Sequence, residues 1–442
     1  MNIFFRYGMG KEKKLFVESK DKFSGIAVPL HIALDQNESL PEWLAINQIN
    51  YFIDPITYVF SEIKAKKHNK DGNLRRSYKK YIDAMNLGHI NFIRESLKVD
   101  YFKTDKNFDD IKISKFVDRY LRIQIDLRNL DSKRDQETKE FIEFFKNQGI
   151  DYPLDIALKG GHNPLFYVSP GFFFDKVGDD WFKLNIHLMK ETRKQLPDQR
   201  VFGYLLIGRQ LLEKQINIPE LLQFIPNDLN GIVVWFEDFE EEISSEDELR
   251  NVAKLIKGLV EKGFEVINLY GGIFSSLLPG TGNSGYSSGL CYDTHKSREI
   301  ESGGGPIPFR YYMPEINRFM RQSDAESFYR HINPKCECVV CKAHKDKSIK
   351  NGEFIIEKFI DSYFKYDETK EKDYANHEEA LKNHFINCSK IELDKVQKNG
   401  PKNFINEKKK TYDLLVEKLG KNIAEQYASH IPKWKKILDE LM

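Results

Sequence analysis

The feature that most restricts the fold is a series of short apolar runs, each ending abruptly at polar residues, glycine or proline. Runs of this length predict strands that are buried on both faces, as in a parallel sheet. The clear runs are INYFIDP (49–55), PLFYVSPG (164–171), VFGYLLIGR (201–209), GIVVWFEDF (231–239) and FEVINLYGG (264–272). Two weaker runs, GIAVPLHIAL (25–34) and PFRYYMP (308–314), bring the predicted strands to seven.

Helical patterns separate the later strands. One spans residues 180–196, and another spans residues 244–263, opening with serine and acidic residues and closing at Gly263. These are typical signals for the start and the end of a helix. Strands that alternate with helices predict a parallel sheet. In a chain of 442 residues we therefore predict a (β/α)8 barrel of the TIM type, although a doubly wound open sheet would give the same local signals.

The rest of the chain predicts additions to this barrel. Residues 60–160 are mostly charged and helical in pattern, and they are too many for one crossover, so we predict a helical insertion. We assign residues 1–330 to the barrel, 331–390 to a cysteine-containing subdomain and 391–442 to a helical tail.

The overall charge limits the partners. Lysine and arginine number 68 and aspartate and glutamate 67, so the formal net charge is +1. A chain with this net charge has no overall positive field that would attract nucleic acid, so any contact with nucleic acid would be local. The basic run at 64–80 is the candidate for that contact, with a solvated helix face as the alternative. No apolar stretch of about 18 residues and no signal peptide occurs, so we expect a cytoplasmic protein without membrane contact.

Three of the five cysteines lie in a C-x-C-x-x-C cluster, formed by Cys336, Cys338 and Cys341. In a reducing cytosol this spacing favours a metal site over disulfides. Thiolates at this spacing can converge on a tetrahedral zinc ion, which makes 331–390 a zinc-binding subdomain with a structural ion.

The fourth zinc ligand comes from elsewhere in the chain. His344 follows Cys341 closely, whereas His377 and His384 lie on a predicted amphipathic helix. We favour His384, with Cys388 one helical turn further on as a spare thiolate.

Polar residues at the predicted strand ends are the candidates for chemistry, because barrel active sites lie at the carboxyl ends of the strands. Asp54 and Asp238 follow strongly apolar runs, and such carboxyl groups suit acid/base or nucleophilic work, although a helix-capping role is an equal alternative. Asp293 lies in a long glycine- and serine-rich loop at 278–308. The candidate substrate-binding residues are Tyr167, Arg209, Gly271 and Gly272. No Walker or dinucleotide fingerprint occurs, so we expect neither ATP nor NAD.

Taken together, the α/β pattern, Cys336, Cys338, Cys341 and a helical His384 in NHFIN resemble the tRNA-guanine transglycosylase family. The resemblance implies a zinc-bearing TIM barrel that exchanges guanine for a 7-deazaguanine in RNA or DNA. It also implies that one aspartate attacks the sugar C1′ while a second supplies acid/base catalysis. By order along the chain, Asp54 would be the acid/base residue, and Asp238 or Asp293 the nucleophile.

We therefore expect a transglycosylase-like enzyme that acts on the N-glycosidic bond of a guanine-type base. The expected partners are tRNA or DNA and a guanine or 7-deazaguanine base, with a homodimer or a protein partner as a further option. FIDPIT stands where the family has Asp-Ser-Gly-Gly. This departure keeps two alternatives open: a non-catalytic binding or assembly protein that retains the barrel and the zinc, and a nucleoside or N-glycoside hydrolase.

Overall fold

A computed structural model describes most of the chain. The described residues are 1–8, 12–37, 39–62, 73–92, 94–128, 162–214, 217–278, 280–282, 284–290, 296–298, 309–366 and 370–442. Asp293, most of the loop at 278–308 and residues 64–72 of the basic run lie outside them.

Within the described residues, eight parallel strands form a nearly closed barrel with surrounding helices, which confirms the predicted (β/α)8 fold. The strands follow one another around the barrel in chain order, and the last pairs with the first. They are β1 Asn2–Arg6, β2 Gly25–Pro29, β3 Tyr51–Asp54, β6 Tyr167–Val168, β8 Val201–Ile207, β9 Gly231–Phe236, β10 Glu265–Leu269 and β11 Gly285–Ser288.

The remaining strands are short. β7 (Phe173–Phe174) pairs with β8 in parallel. The other six form antiparallel hairpins: β4 Lys103–Thr104 with β5 Asn107–Phe108, β12 Arg310–Met313 with β13 Arg318–Arg321, and β14 Ile349–Lys350 with β15 Glu353–Phe354. The run PFRYYMP thus becomes a hairpin strand and not the barrel strand that we predicted, because its hydrogen-bond partner is β13.

Helices surround the barrel and build the C-terminal region. Among the described residues, the helices before residue 300 are α1 Lys13–Glu18, α2 Leu30–Asp35, α3 Leu40–Asn47, α4 Arg76–Ala84, α5 Asp110–Arg128, α6 Asp180–Gln195, α7 Arg209–Glu213, α8 Ile218–Phe224, α9 Glu246–Glu261 and α10 Ile273–Leu277. The others are α11 Gln322–His331, α12 Val339–Lys347, α13 Ile356–Phe364, α14 Glu371–Asn399, α15 Pro401–Leu419, α16 Lys421–Ala428 and α17 His430–Leu441. Short 3-10 turns occur at Lys20–Lys22, Thr57–Phe60 and Val99–Phe102. No helix in these ranges is long and apolar enough to cross a bilayer.

The barrel closes differently at two strand junctions, which are the seam between β1 and β11 and the gap between β3 and β6. β1 and β11 pair directly, and a Cβ at Gly285 would meet Asn2 O at 1.9 Å, so this seam requires glycine. Between β3 and β6 the join is looser: the Leu165 N–H donates to Tyr51 O at 2.8 Å, and the Tyr51 hydroxyl donates to His162 O at 2.7 Å. These contacts join the start of β3 to the segment that precedes β6.

The predicted border between the zinc-binding subdomain and the tail, at 390/391, falls within the continuous helix α14. The tail also packs against the barrel. Trp434 on α17 is 1% exposed, and its Nε1–H donates to Glu241 O at 2.9 Å. Its ring lies 5.3 Å from that of Phe274 on α10. One helix therefore links the cysteine cluster to a tail that covers one side of the barrel.

Candidate functional site

The barrel interior is layered. Alternate strand residues point to the same face, so Phe4, Phe52 and Phe202 lie one layer below Arg6, Asp54 and Tyr204. The lower layer is aromatic: the rings of Phe4 and Phe52 are 5.2 Å apart, and Phe166 stacks on Phe202 at 3.9 Å. The upper layer is polar and lies at the carboxyl ends of the strands, where barrel active sites are built.

Asp54 is the centre of the upper layer and is 1% exposed. Its Oδ2 accepts a hydrogen bond from Arg6 Nη1 at 2.7 Å, and its Oδ1 accepts one from the Tyr204 hydroxyl at 2.8 Å. The Ile56 N–H lies 3.3 Å from Oδ1. A buried carboxylate needs such partners, because burial of an unpaired charge is costly. Both oxygens of Asp54 are thus held in a defined orientation.

Aromatic rings form a wall beside this carboxylate. The Arg6 guanidinium lies 4.5 Å from the centre of the Tyr270 ring. Tyr270 has a positive φ of 64°, which turns the chain sharply after β10. The Trp235 ring lies 4.8 Å from Tyr270 and 4.9 Å from Tyr58. These three buried rings therefore pack against one another next to the ionic pair of Arg6 and Asp54.

The segment 296–298 lies against this wall. Lys296 Nζ is 5.5 Å from the Tyr270 ring centre, 5.7 Å from Trp235 and 5.9 Å from Tyr58. Arg298 binds Asp175 through two nitrogens, at 2.7 and 3.2 Å, and Glu237 through Nε at 2.7 Å. These ion pairs fix the segment at the carboxyl end of the barrel.

Asp238 and Arg209 lie on the same rim, as predicted from their strand ends. Asp238 follows β9 with a positive φ of 50°, and its side chain is exposed. Its N–H donates to Lys296 O at 3.2 Å, and its carbonyl oxygen accepts from Arg209 Nη1 at 2.7 Å. Arg209 also forms an ion pair with Glu248. Arg209 therefore has partners within the chain that position the loop after β9.

His31 is a further residue of the rim. It follows β2, and its ring stacks on that of Tyr78 at 4.3 Å. Its Nδ1 is buried and has no hydrogen-bond partner among the described residues. Burial lowers the pKa of His31 well below its ordinary value, and the charges of Lys296, Arg6 and Arg75 lower it further. The imidazole is therefore neutral near pH 7.

Three predicted substrate-binding residues have other surroundings. Tyr167 is 3% exposed and, by strand alternation, lies on the opposite face from Phe166 of the interior layer. The Gly271–Gly272 turn faces the buried carboxylate of Glu241, which accepts from the Gly272 N–H at 2.8 Å and the Ser275 hydroxyl at 2.6 Å. Burial raises the pKa of Glu241, and these hydrogen bonds oppose that rise. The donors of this turn are thus already used within the chain.

The basic run is partly described. Arg76 and Lys80 on α4 both form ion pairs with Asp35, at 3.2 and 3.1 Å. Their charges are therefore partly neutralised within the chain.

The cysteine cluster is compact and buried. The donor atoms of Cys336, Cys338, Cys341 and His384 all lie within 4.8 Å of one another. The Cys338 N–H points to Cys336 Sγ and the Cys341 N–H to Cys338 Sγ, each at 3.4 Å. Three thiols and an imidazole are a donor set for tetrahedral zinc, so the cluster can hold a metal ion such as zinc.

His384 is the histidine that the fold brings to the cysteines. Its Nδ1 lies 3.1 Å from Cys338 Sγ, while its Nε2 is 2.9 Å from Tyr312 O. Because a carbonyl oxygen only accepts, Nε2 carries a proton, and Nδ1 is the nitrogen that faces the thiols and would bind an ion in place of a proton. His344 instead contacts the Ser362 hydroxyl, and His377 contacts the Tyr311 hydroxyl, each at 2.8 Å.

Hydrogen bonding within the cluster favours the thiolate form, which is the form that binds metal, at Cys338, whereas hydrogen bonds from Cys336 and Cys338 raise the pKa of Cys341. Hydrogen bonds from Cys336, Cys341 and Cys388 lower the pKa of Cys338. Burial lowers the pKa of His384, but the hydrogen bond and charge of Cys338 outweigh it and raise the value to about 9. Cys388 is also close, with its Sγ 3.4 Å from Cys336 Sγ.

Comparisons with protein-family models, with curated proteins and with solved structures gave no match for this chain.

Sequence reasoning missed Arg6, Tyr204 and Lys296 as residues of the rim. Side chains two positions apart on a strand point to the same face, and this alternation could have identified two of them. Arg6 follows Phe4 by two positions, and Tyr204 follows Phe202 by two positions. The contact between Lys296 and Trp235 is known only from the fold, because no local sequence pattern predicts it.

Proposed function

We propose that the chain is a transglycosylase-like enzyme that acts on the N-glycosidic bond of a guanine-type base in nucleic acid. The observation that carries the proposal is the carboxylate of Asp54, oriented by Arg6 and Tyr204 at the carboxyl end of β3 and adjoined by an aromatic wall. An oriented carboxylate suits proton transfer.

In this proposal Asp54 exchanges a proton with the base, and the hydroxyl of Tyr204 keeps the carboxylate in position. The nucleophile toward the sugar C1′ is a second aspartate. Asp238 is a candidate because its exposed side chain lies on the same rim, and Asp293 is the other candidate. A carboxylate nucleophile would form a glycosyl ester, which the incoming base then displaces.

The metal is proposed to be zinc with a structural role, held by Cys336, Cys338, Cys341 and His384. Its bonds would stabilise the fold of the segment around α12. Full burial of Cys341 and His384, both 0% exposed, supports a closed structural site without a substrate position.

The test is incorporation of labelled guanine into bulk tRNA and, separately, into DNA. Wild-type protein should incorporate label, and Asp54→Asn should reduce the rate roughly 100-fold or more, since general acid/base catalysis contributes about that much. Asp118→Asn is the control, because it also replaces the carboxylate of an Asp–Arg ion pair, but that pair, with Arg122, lies on the exposed side of α5. Circular dichroism of Asp54→Asn checks that loss of the Arg6 pair has not unfolded the barrel, and Tyr204→Phe, which keeps the ring, should show a smaller rate loss.

A second candidate is a binding or assembly protein without catalysis. It is favoured by the full set of partners on Asp54, because both oxygens are already bound within the chain. Under this candidate no label enters nucleic acid and no base is released. Release of base without incorporation would instead indicate an N-glycoside hydrolase.

A further inference from the structure

The cysteine cluster contains one sulfur more than a tetrahedral metal ion needs. Cys388 on α14 lies outside the set of four converging donors, yet its Sγ is 3.4 Å from Cys336 Sγ. The same Sγ lies 3.6 Å from both ring nitrogens of His384. An ion held by the other four donors therefore leaves Cys388 as a thiol without a metal bond, in contact with a sulfur that has one.

The two sulfurs belong to segments of different structure. Cys336 lies in the irregular segment before α12, whereas Cys388 lies inside the long helix α14. The main chain of Cys336 is held by two contacts: its N–H lies 3.2 Å from Glu315 Oε1, and its carbonyl oxygen accepts from Lys345 Nζ at 2.7 Å. A disulfide places its sulfurs about 2.05 Å apart. Rotation of the Cys336 side chain, with a small adjustment of its segment, can close the remaining gap.

The four thiols of the cluster differ in their access to solvent. Cys336 is 8% exposed, while Cys338, Cys341 and Cys388 are 2%, 0% and 1% exposed. A small oxidant from solvent therefore reaches Cys336 first. Oxidation-sensitive cysteines combine thiolate character and access with a second thiol next to them that resolves the oxidised sulfur. Cys336, as a metal-bound thiolate, meets the first two conditions, and Cys388 supplies the third.

We propose that Cys336 and Cys388 form a disulfide when the protein is oxidised by a peroxide, and that this bond removes Cys336 from the metal. In the first step the Cys336 thiolate attacks a peroxide oxygen; the O–O bond breaks, hydroxide leaves and a sulfenic acid forms. In the second step Cys388 attacks the Cys336 sulfur. The S–O bond breaks, and the hydroxyl leaves as water with the proton of Cys388. Both sulfurs are oxidised to the disulfide, and the peroxide is reduced to water and hydroxide.

The disulfide would change what the cluster can bind. A thiolate is the form of cysteine that binds metal, so the ion would lose one of its four ligands. The bond would also connect the segment before α12 with α14, across 52 positions of the chain. The inference takes the metal from the proposed zinc site and is independent of base exchange.

The experiment treats the full-length, zinc-loaded protein with a small excess of hydrogen peroxide. A chromogenic chelator follows the zinc, and peptide mapping after alkylation identifies the cross-linked cysteines. Wild type should release close to all of its zinc and yield a peptide pair joined through Cys336 and Cys388. Dithiothreitol followed by zinc should restore the metal content, because a disulfide is reversible whereas higher sulfur oxides are not.

Cys388→Ser separates the two steps. Its zinc site is complete, but Cys336 has no resolving thiol and should stop at the sulfenic acid. Dimedone, which traps sulfenic acids, should label Cys336 in this variant at least about tenfold more than in wild type. Ser389→Ala is the matched control: it removes a buried hydroxyl from the same turn of α14, and it should cross-link like wild type.

The outcomes are distinct for this inference and for the proposed function. A disulfide between Cys338 and Cys341, or no disulfide at all, would overturn the inference. Zinc that stays bound to the cross-linked protein would overturn its coupling to the metal. A protein that forms the cross-link but incorporates no guanine into nucleic acid would support the inference and contradict only the exchange reaction.

Discussion

At the scale of single residues, His384 connects two parts of the molecule. Its Nε2 bonds to the Tyr312 carbonyl and its Nδ1 faces the cysteines. The adjacent Phe385 contacts Phe5 of β1, with ring centres 5.8 Å apart. An ion bound at Nδ1 would thus tie the cysteine-bearing segment to α14 and, through it, to the barrel.

Replacing Cys338 by serine should remove the bound metal. Wild type should carry about one zinc per chain by elemental analysis, and Cys338→Ser close to none, because Cys338 is one of four converging donors. Loss of the ion should lower the free energy of unfolding by several kcal/mol, since metal binding is coupled to folding.

Cys388→Ser is the matched control. It removes a buried thiol next to the cluster but outside the four-donor set, and it should keep the zinc. Full zinc content in Cys338→Ser would contradict the assignment.

At the scale of elements, α9 is the helix whose local sequence is most informative. Ser245 accepts a hydrogen bond from the Glu248 N–H, and Glu248 Oε2 accepts one from the Ser245 N–H at 2.8 Å, which forms a capping box. Gly263 follows the helix with φ +90°, a conformation open to glycine. The predicted start and end of this helix are confirmed.

Ser245→Ala should destabilise the protein by about 1 kcal/mol, because the Glu248 N–H at the start of α9 loses the Ser245 hydroxyl as its acceptor. The measurement is the urea unfolding midpoint at unchanged slope. Ser39→Ala is the control, since Ser39 precedes α3 without a side-chain capping bond in the described structure. Equal midpoints for the two variants would show that the box contributes nothing.

At the scale of the whole molecule, the C-terminal helices are part of the same core as the barrel. His430 on α17 is 0% exposed, and its Nε2 lies 2.7 Å from Ile316 O, in the turn between β12 and β13. Burial, with a smaller contribution from the charges of Arg318 and Lys433, lowers the pKa of His430 to about 3, although the hydrogen bond with Ile316 opposes this shift. The folded chain therefore holds this imidazole neutral.

Stability should fall as the pH decreases below about 6.5, because the unfolded chain then binds a proton at His430 that the folded chain excludes until about pH 3. Each pH unit in this window lowers the free energy of unfolding by about 1.4 kcal/mol, so at pH 5 it is roughly 2 kcal/mol lower than above pH 6.5. Urea unfolding of wild type and of His430→Gln, from pH 5 to 7.5, measures the difference. The variant should show a flatter dependence, whereas the exposed His331→Gln should follow wild type; parallel curves for all three proteins would refute the prediction.

The sequence alone indicated the strands that carry apolar runs, their alternation with helices and the cysteine spacing. It missed β1 and β11, the two strands that meet at one seam. The GYSS segment of β11 has no apolar run, because Gly285 is required by the close approach of Asn2 and the serines next to it are buried through tertiary contacts. PFRYYMP does carry an apolar run and does form a strand, but its hydrogen-bond partner is β13 and not a strand of the barrel.

Local patterns determine which residues can form a strand, a helix cap or a thiolate cluster, since these depend on neighbours a few positions away. Only the tertiary structure decided which distant residues meet. Arg6 reaches Asp54 across 48 positions, Tyr204 reaches it across 150, and His384 reaches Cys341 across 43. Closure of the barrel and the docking of α14 bring these groups together. Spacing along the chain carries no information on such contacts, because they arise from how whole elements pack.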